Sequence, residues 1–268
     1  MLRAYRMRLQ VIVTHRCNAL CDHCDKAVGY SKFPDLKDMT VEMAKQRVDE
    51  LLSQWSTVRV SRVTISGGEP VLNRQLQGII DEFSRLKCRG RVLTNDMPVT
   101  LELRDAITLP VNWAWAPSPL DDPEDMKSGK NKPGVRWRNR VHTPFWVSPA
   151  DEGIESKYEQ CGVKYFCGKG LDSGGFSMCG QAPIIGRLLG IDPYMPNEPD
   201  ILTQVITPKP EICKHCQYGL SKRNVKWIRN RVNDGKITAI SPTFAQAFEQ
   251  HGSGSSVANG LIPLEVLQ

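Results

Sequence analysis

The sequence predicts an α/β protein: βα units building a parallel sheet over residues 1–150, a small cysteine-rich segment over 151–235, and a C-terminal helix with a flexible tail over 236–268. Two observations carry this expectation. Through the first half, short β-branched runs alternate with longer stretches of helical periodicity, the pattern of a parallel sheet with crossover helices. Past residue 150 the alternation fades, glycine becomes dense over 162–175, and five cysteines fall between 161 and 216.

Taken in order, Val11–Thr14 reads as the first strand. Thr40 suits the N-cap of a first helix, with Glu42 in its first turn and an apolar stripe of Val41, Met43, Ala44, Val48, Leu51 and Leu52 running to about Trp55. Val60–Ser66 is the second strand, Arg74–Leu86 the second helix and Arg91–Thr94 the third strand. A short helix over Leu101–Ala106 and a fourth strand over Val111–Trp115 follow, and a fifth strand is expected near Phe145–Val147. The Asp-, Pro-, Lys- and Gly-rich run Pro119–Pro133 reads as an exposed loop. There is no internal repeat.

A chain of 268 residues with 40% hydrophobic and 24% charged residues has an ordinary globular composition. No stretch approaches the roughly 20 apolar residues of a membrane helix. The basic start Met1–Arg8 leads into a strand-like run, Leu9–Val13, where a secretory signal would place an apolar segment and a cleavage site. A cytoplasmic location is therefore expected, with no membrane partner. The net charge of +6 is compatible with an anionic partner or with solubility alone. Nine cysteines, an odd number, argue against a closed disulfide framework and toward metal binding.

Cys17, Cys21 and Cys24 lie within eight residues, in a loop directly after the first strand. Thiolates are soft ligands for zinc or for iron-sulfur clusters. Three thiols fall one short of a closed structural zinc site, which His15 or His23 would complete.

This C-x3-C-x2-C spacing at the end of a first strand resembles the defining motif of the radical S-adenosylmethionine (radical SAM) superfamily. Ser66-Gly67-Gly68-Glu69-Pro70, ending the second strand, resembles that family's GGEP segment. Both motifs fall at the carboxyl edge of the sheet, where parallel α/β folds bind ligands. The resemblance implies a partial (β/α)6 barrel and a [4Fe-4S] cluster on Cys17, Cys21 and Cys24 with one open iron that binds SAM. It further implies reductive cleavage of SAM to a 5'-deoxyadenosyl radical that abstracts a substrate hydrogen, with flavodoxin or ferredoxin as the electron donor. By the same resemblance, His23 stands where the family places a residue near the adenine. Ser66, Gly67, Gly68 and Glu69 line the ligand, and Thr94, Asn95 and Ser118 stand where the ribose and methionine parts are contacted. Asp96 departs from the pattern, which commonly has glycine there.

Cys88 reads as a structural thiol at a helix end. The remaining five are Cys161, Cys167, Cys179, Cys213 and Cys216, with Cys213-Lys-His-Cys216 a strong ligand pair. Their layout resembles the twitch domain, a reduced relative of the SPASM domain, and implies one auxiliary [4Fe-4S] cluster. Cys161 and Cys167 compete to serve with Cys179, Cys213 and Cys216, and a structural zinc is the alternative.

Two basic stretches carry tryptophan, Arg136–Arg140 and Lys222–Arg231. They suit a nucleotide or nucleic acid. The second equally suits an amphipathic helix burying Val225, Trp227, Ile228 and Val232. The leading expectation is a radical SAM enzyme that oxidises or rearranges a small molecule, a nucleotide or a nucleic-acid base. A peptide-modifying maturase is the second, lowered because only 16 residues precede Cys17. A zinc-stabilised nucleic-acid-binding protein is the third; it leaves Gly67-Gly68-Glu69 unexplained. Substrate and oligomeric state are not legible.

Overall fold

The computed structural model describes residues 5–18, 24, 26–27, 37–53, 58–95, 98–117, 146–156, 161, 168–195 and 209–251. The sheet has six strands: β1 (Tyr5–Ile12), β2 (Val58–Ser66), β3 (Arg89–Thr94), β4 (Trp113–Pro117), β5 (Lys169–Asp172) and β6 (Gly175–Ser177). Their order is β4-β3-β2-β1-β5-β6. Neighbours from β4 through to β5 pair parallel, and β6 returns antiparallel to β5. The helices are α1 (Val41–Ser53), α2 (Leu76–Ser84), α3 (Pro98–Asp105), α4 (Ala182–Leu188), α5 (Pro210–Cys213), α6 (Lys222–Asn233) and α7 (Pro242–His251). The fold is mixed α/β with a parallel sheet, in keeping with a partial radical SAM barrel. Among the described residues no helix is long and apolar enough to cross a membrane.

Strand periodicity explains the layering. On β1 the alternate residues Leu9 and Val11 are fully buried, and so are Val63 and Ile65 on β2 and Leu171 on β5. They share one core with Val48, Leu51, Ile79, Ile80 and Phe83 of α1 and α2. Thr40 caps α1 as expected, its Oγ1 accepting the Met43 N–H at 3.2 Å. Cys88, in that core, is held as a thiol, its pKa pushed up to about 11 chiefly by burial.

A second core lies on the C-terminal side. Trp146, Met178, Ile184, Ile185, Leu188, Ile212 and Phe244 cluster there with Ala27. Trp146 meets Phe244 edge-on at 5.0 Å and Phe248 at 5.2 Å.

Several sequence expectations are corrected. The first strand runs Tyr5–Ile12, earlier than Val11–Thr14, because both edges of β1 are paired and the charged Arg6 and Arg8 are tolerated on the face away from α1. The second helix is a 3-10 turn, Pro70–Leu72, followed by a shorter α2. Trp146 and Val147 form no strand; Trp146 is a core anchor in a turn, which an apolar triplet cannot distinguish from a strand. The fifth strand is instead Lys169–Asp172, beside β1, so the sheet continues into the segment assigned to the cysteine-rich region. On α6 only Ile228 is fully buried, while Trp227 is 41% exposed and stacks under the Arg231 guanidinium at 4.7 Å. The loop over 119–133, the basic stretch 136–140 and the tail over 252–268 lie outside the described residues.

Candidate active site

The loop carrying Cys17 leaves β1 and is held from both sides. Thr14 donates to Asp38 Oδ1 at 2.6 Å, and Arg16 pairs with the same carboxylate and reaches Leu72 O at 2.6 Å. Asn73, buried, donates from one amide to Val13 O at 2.8 Å and Met39 O at 3.0 Å. Satisfying two carbonyls with one buried side chain fixes the take-off angle of the loop.

The Gly67-Gly68-Glu69 turn is joined directly to that loop. Gly68 N–H donates to Thr14 O and Glu69 N–H to Arg16 O, both at 2.8 Å, extending the β1–β2 ladder past the strands. A Cβ on Gly67 would stand 2.4 Å from Thr14 O; one on Gly68 would stand 2.2 Å from Arg16 O and 3.0 Å from Cys17 Cβ. Glycine is required here by the cysteine loop itself. The fully buried Glu69 accepts Asn95 N–H at 2.7 Å and Val71 N–H at 3.4 Å. Asn95 donates in turn to Asn18 Oδ1 at 2.8 Å, so the loops after β1, β2 and β3 form one hydrogen-bonded edge.

Other expected site residues sort differently. Ser66 is buried, donating to Val11 O and accepting from Gln10 Nε2, both at 3.3 Å. Thr94 is buried at the end of β3. Cys24 is described, and its carbonyl accepts Trp146 Nε1–H at 3.0 Å. Cys21, His23, Asp96, Ser118 and Cys167 lie outside the described residues.

Cys161, Cys179, Cys213 and Cys216 line one cavity, with Met178, Ile185 and Ile212 in its walls. Burial foremost, then the neighbouring thiols, raises the pKa of Cys179 and Cys216 and pushes Cys213 up to about 12. In a dry, crowded cavity a thiol keeps its proton unless a cation takes its place.

Residues 11–109 match the family model described as the Radical SAM superfamily. That segment, which holds the Cys17 loop and the Gly67-Gly68-Glu69 turn, is the part of the chain similar to the superfamily. A GTP 3',8-cyclase of Peptoclostridium acidaminophilum is 30% identical over 82 residues, covering 31% of this chain and 23% of that relative. The match therefore spans about a quarter of the relative's length. Among solved structures, BtrN in complex with AdoMet and 2-DOIA overlaps at a TM-score of 0.40 and 13% identity, covering 88% of this chain and 90% of that one. Streptococcus suis SuiB bound to S-adenosylmethionine overlaps at 0.34 and 18% identity, covering 50% of this chain and 28% of SuiB. These overlaps are too loose to transfer a residue role.

The similarity to the radical SAM superfamily would imply a [4Fe-4S] cluster and S-adenosylmethionine, and the donor chemistry at the Cys17 loop fits them: soft thiols beside a glycine turn at the carboxyl edge of the sheet. The donor set of the second cavity, four thiols with apolar walls, has the chemistry of a soft-metal or iron-sulfur site. Thiolates around one zinc lie within about 4 Å of each other, given Zn–S bonds of about 2.3 Å. Among the described residues no three His, Cys, Asp or Glu side chains converge closely enough to hold a single ion, although four thiols share the cavity.

The sequence reading overlooked Gln10, Asp172 and Arg187, and gave His15 only a ligand's role. His15 Nε2 is shielded from solvent with no hydrogen-bond partner among the described residues. Burial above all, then Arg187 and Lys26, lowers the His15 pKa to about 3 and keeps the ring neutral. Arg187 donates to Asp172 Oδ2 at 2.9 Å, and Asp172 also accepts from Tyr194 at 3.0 Å. A lone arginine in the apolar run Ala182–Leu188 was the available signal.

Proposed function

We propose that this protein is a radical SAM enzyme with one auxiliary [4Fe-4S] cluster, which oxidises or rearranges a small molecule, a nucleotide or a nucleic-acid base by hydrogen abstraction. When bound, the first cluster and SAM supply methionine and a 5'-deoxyadenosyl radical through one-electron reduction, with flavodoxin or ferredoxin as donor. Cys17, Cys21 and Cys24 are the thiolates that hold that cluster. Glu69 keeps the loop after β3 against the glycine turn, and Asn95 links it to the cysteine loop. The hydrogen bonds from Gly68 and Glu69 into the Cys17 loop are the observation that carries this reading: they join both family motifs at one edge of the sheet.

For the auxiliary cluster the proposed ligands are Cys161, Cys179, Cys213 and Cys216. Cys161 shares a cavity wall with the other three, and Cys167 lies outside the described residues. The similarity to a GTP 3',8-cyclase favours a nucleotide among the substrate classes. We place the protein in the cytoplasm, where cysteines outside disulfides, as the described ones here are, stay reduced.

Anaerobic reconstitution followed by iron and sulfide counting should give two clusters, and dithionite with SAM should release 5'-deoxyadenosine. Cys21→Ala should abolish that release, while Cys213→Ala should lose one cluster and keep some release. A colourless, inactive protein after reconstitution would refute the assignment.

A further inference from the structure

Between Glu211 and Asp234 the chain carries six lysines and arginines and no acidic residue, and five of the six cations are on α6. At 3.6 residues per turn Lys222, Lys226 and Arg229 form one row along the helix, with Arg223 and Trp227 in the row beside it. All five of these side chains are exposed. The opposite side packs inward: Ile228 is fully buried, and Val225 and Val232 are half-buried. Among the described residues no carboxylate pairs with any cation of α6; Asp234, which ends the run, is engaged by Lys236 at 3.0 Å.

This arrangement works against the helix itself. Lys222 and Arg223 stand in the first turn, against the positive end of the helix dipole. Lys222 with Lys226, and Lys226 with Arg229, are like-charged neighbours at i,i+4 and i,i+3. A face kept only for solubility mixes both signs and relieves that repulsion. Trp227 adds an aromatic ring to the same face. The Arg231 guanidinium lies 4.7 Å from its centroid, and Arg231 Nε is shielded without a hydrogen-bond partner among the described residues, so the ring holds this arginine. The start of the helix is fixed: Ser221 accepts Asn224 N–H at 3.2 Å, and Gln217, in the turn before it, donates to Val147 O.

We propose that this face of α6 binds single-stranded nucleic acid, with Lys222, Arg223, Lys226 and Arg229 on successive phosphates and a base stacked on Trp227. The cations from Lys222 to Arg229 extend over about 10 Å of helix, which suits a chain of phosphates rather than a single one. A base free of pairing can stack on an exposed ring, whereas the bases of a duplex are already stacked on each other. An acidic protein would answer the cations and leave the ring without a role. The inference goes beyond the enzyme reading and needs none of its chemistry.

The test is fluorescence anisotropy of labelled oligothymidylate and oligouridylate with the reconstituted protein across salt concentrations. Labelled duplex DNA and competition by polyglutamate are run in parallel. At least one single strand should bind, with log Kd rising against log salt at a slope of about 3 if the four exposed cations each meet a phosphate. K222Q/R223Q/K226Q/R229Q should weaken binding about tenfold or more and flatten the slope. Trp227→Leu should weaken it about fivefold or more and leave the slope unchanged, which separates stacking from charge. All six substitutions are at exposed or solvent-facing positions of α6 or are checked by unchanged thermal unfolding, iron content and 5'-deoxyadenosine release. Failure of both single strands to bind at low salt, or unchanged binding by the quadruple variant, would overturn the proposal. So would tighter binding of duplex, and so would equal competition by polyglutamate with Trp227→Leu silent, which would assign the face to an acidic protein. A wild-type protein that binds the strand but neither takes up iron nor cleaves SAM would refute the enzyme class and leave this surface standing.

Discussion

Ser148 Oγ lies 2.8 Å from His215 Nδ1, between Cys213 and Cys216, and so ties the turn that follows Trp146 to the second thiol pair. The same turn accepts Gln217 Nε2–H at Val147 O, 2.9 Å, and Ser148 N–H donates to Ser241 Oγ at 3.0 Å. Ser148→Ala should cost about 1 kcal/mol in denaturant unfolding. It should lower iron retention toward one cluster per chain without stopping 5'-deoxyadenosine release. Unchanged iron content would mean that the contact does not position the thiols.

Gly68→Ala sets a methyl group against Arg16 O and Cys17 Cβ, both parts of a pinned loop. The overlap should cost about 1–3 kcal/mol and displace Cys17. Iron counting is the sensitive readout: the first cluster should be lost while the far-UV spectrum stays native. Full iron loading would show that the loop can move aside.

Glu69→Gln replaces one carboxylate oxygen with an N–H2 facing either Asn95 N–H or Val71 N–H. A loss of about 1–3 kcal/mol is expected, together with weaker SAM binding measured by calorimetry. Weaker SAM binding at unchanged stability would mean that the carboxylate serves the ligand alone.

Asp151 crosses to the start of α7, accepting Thr243 N–H at 3.0 Å and the Thr243 hydroxyl at 2.6 Å. Burial pushes its carboxyl up, but hydrogen bonds from Ser241 and Thr243 outweigh this and hold it below the ordinary 3.8. A depressed folded pKa gives stability that is complete above the unfolded value and lost as pH falls through the folded one. Unfolding midpoints should therefore drop more steeply for the wild type than for Asp151→Asn on acidification below about pH 4. Parallel pH profiles would remove the cap from the account.

The two neighbours on α6 should behave oppositely. Ile228→Ala empties a fully buried site and should cost about 2–5 kcal/mol. Trp227→Ala removes a partly exposed ring stacked on Arg231 of its own helix and should cost less than about 1 kcal/mol. Equal losses would show that a partner covers Trp227 in solution.

Helical periodicity placed Trp227 and Ile228 on one stripe, since 3.6-residue spacing reports what a helix could bury. How wide a strip is covered depends on what packs against it, and here that is little more than Ile228. The turn holding Trp146 misled for the related reason that an apolar triplet looks the same in a strand and in a core anchor. The glycine pair was read as lining the ligand, and the close approach found in the structure is to the cysteine loop, at Thr14 and Arg16.

By itself the amino-acid order determined the thiol triplet, the glycine–glutamate turn and the parallel βα pattern, because ligand spacing, turn sterics and side-chain periodicity act over a few neighbouring residues. Only tertiary structure decided that β5 lies against β1, that Cys161 shares a cavity with Cys179, Cys213 and Cys216, and that Arg187 pairs with Asp172. Those relations span distant parts of the chain. They follow from which surfaces are buried together, and no local pattern encodes that choice.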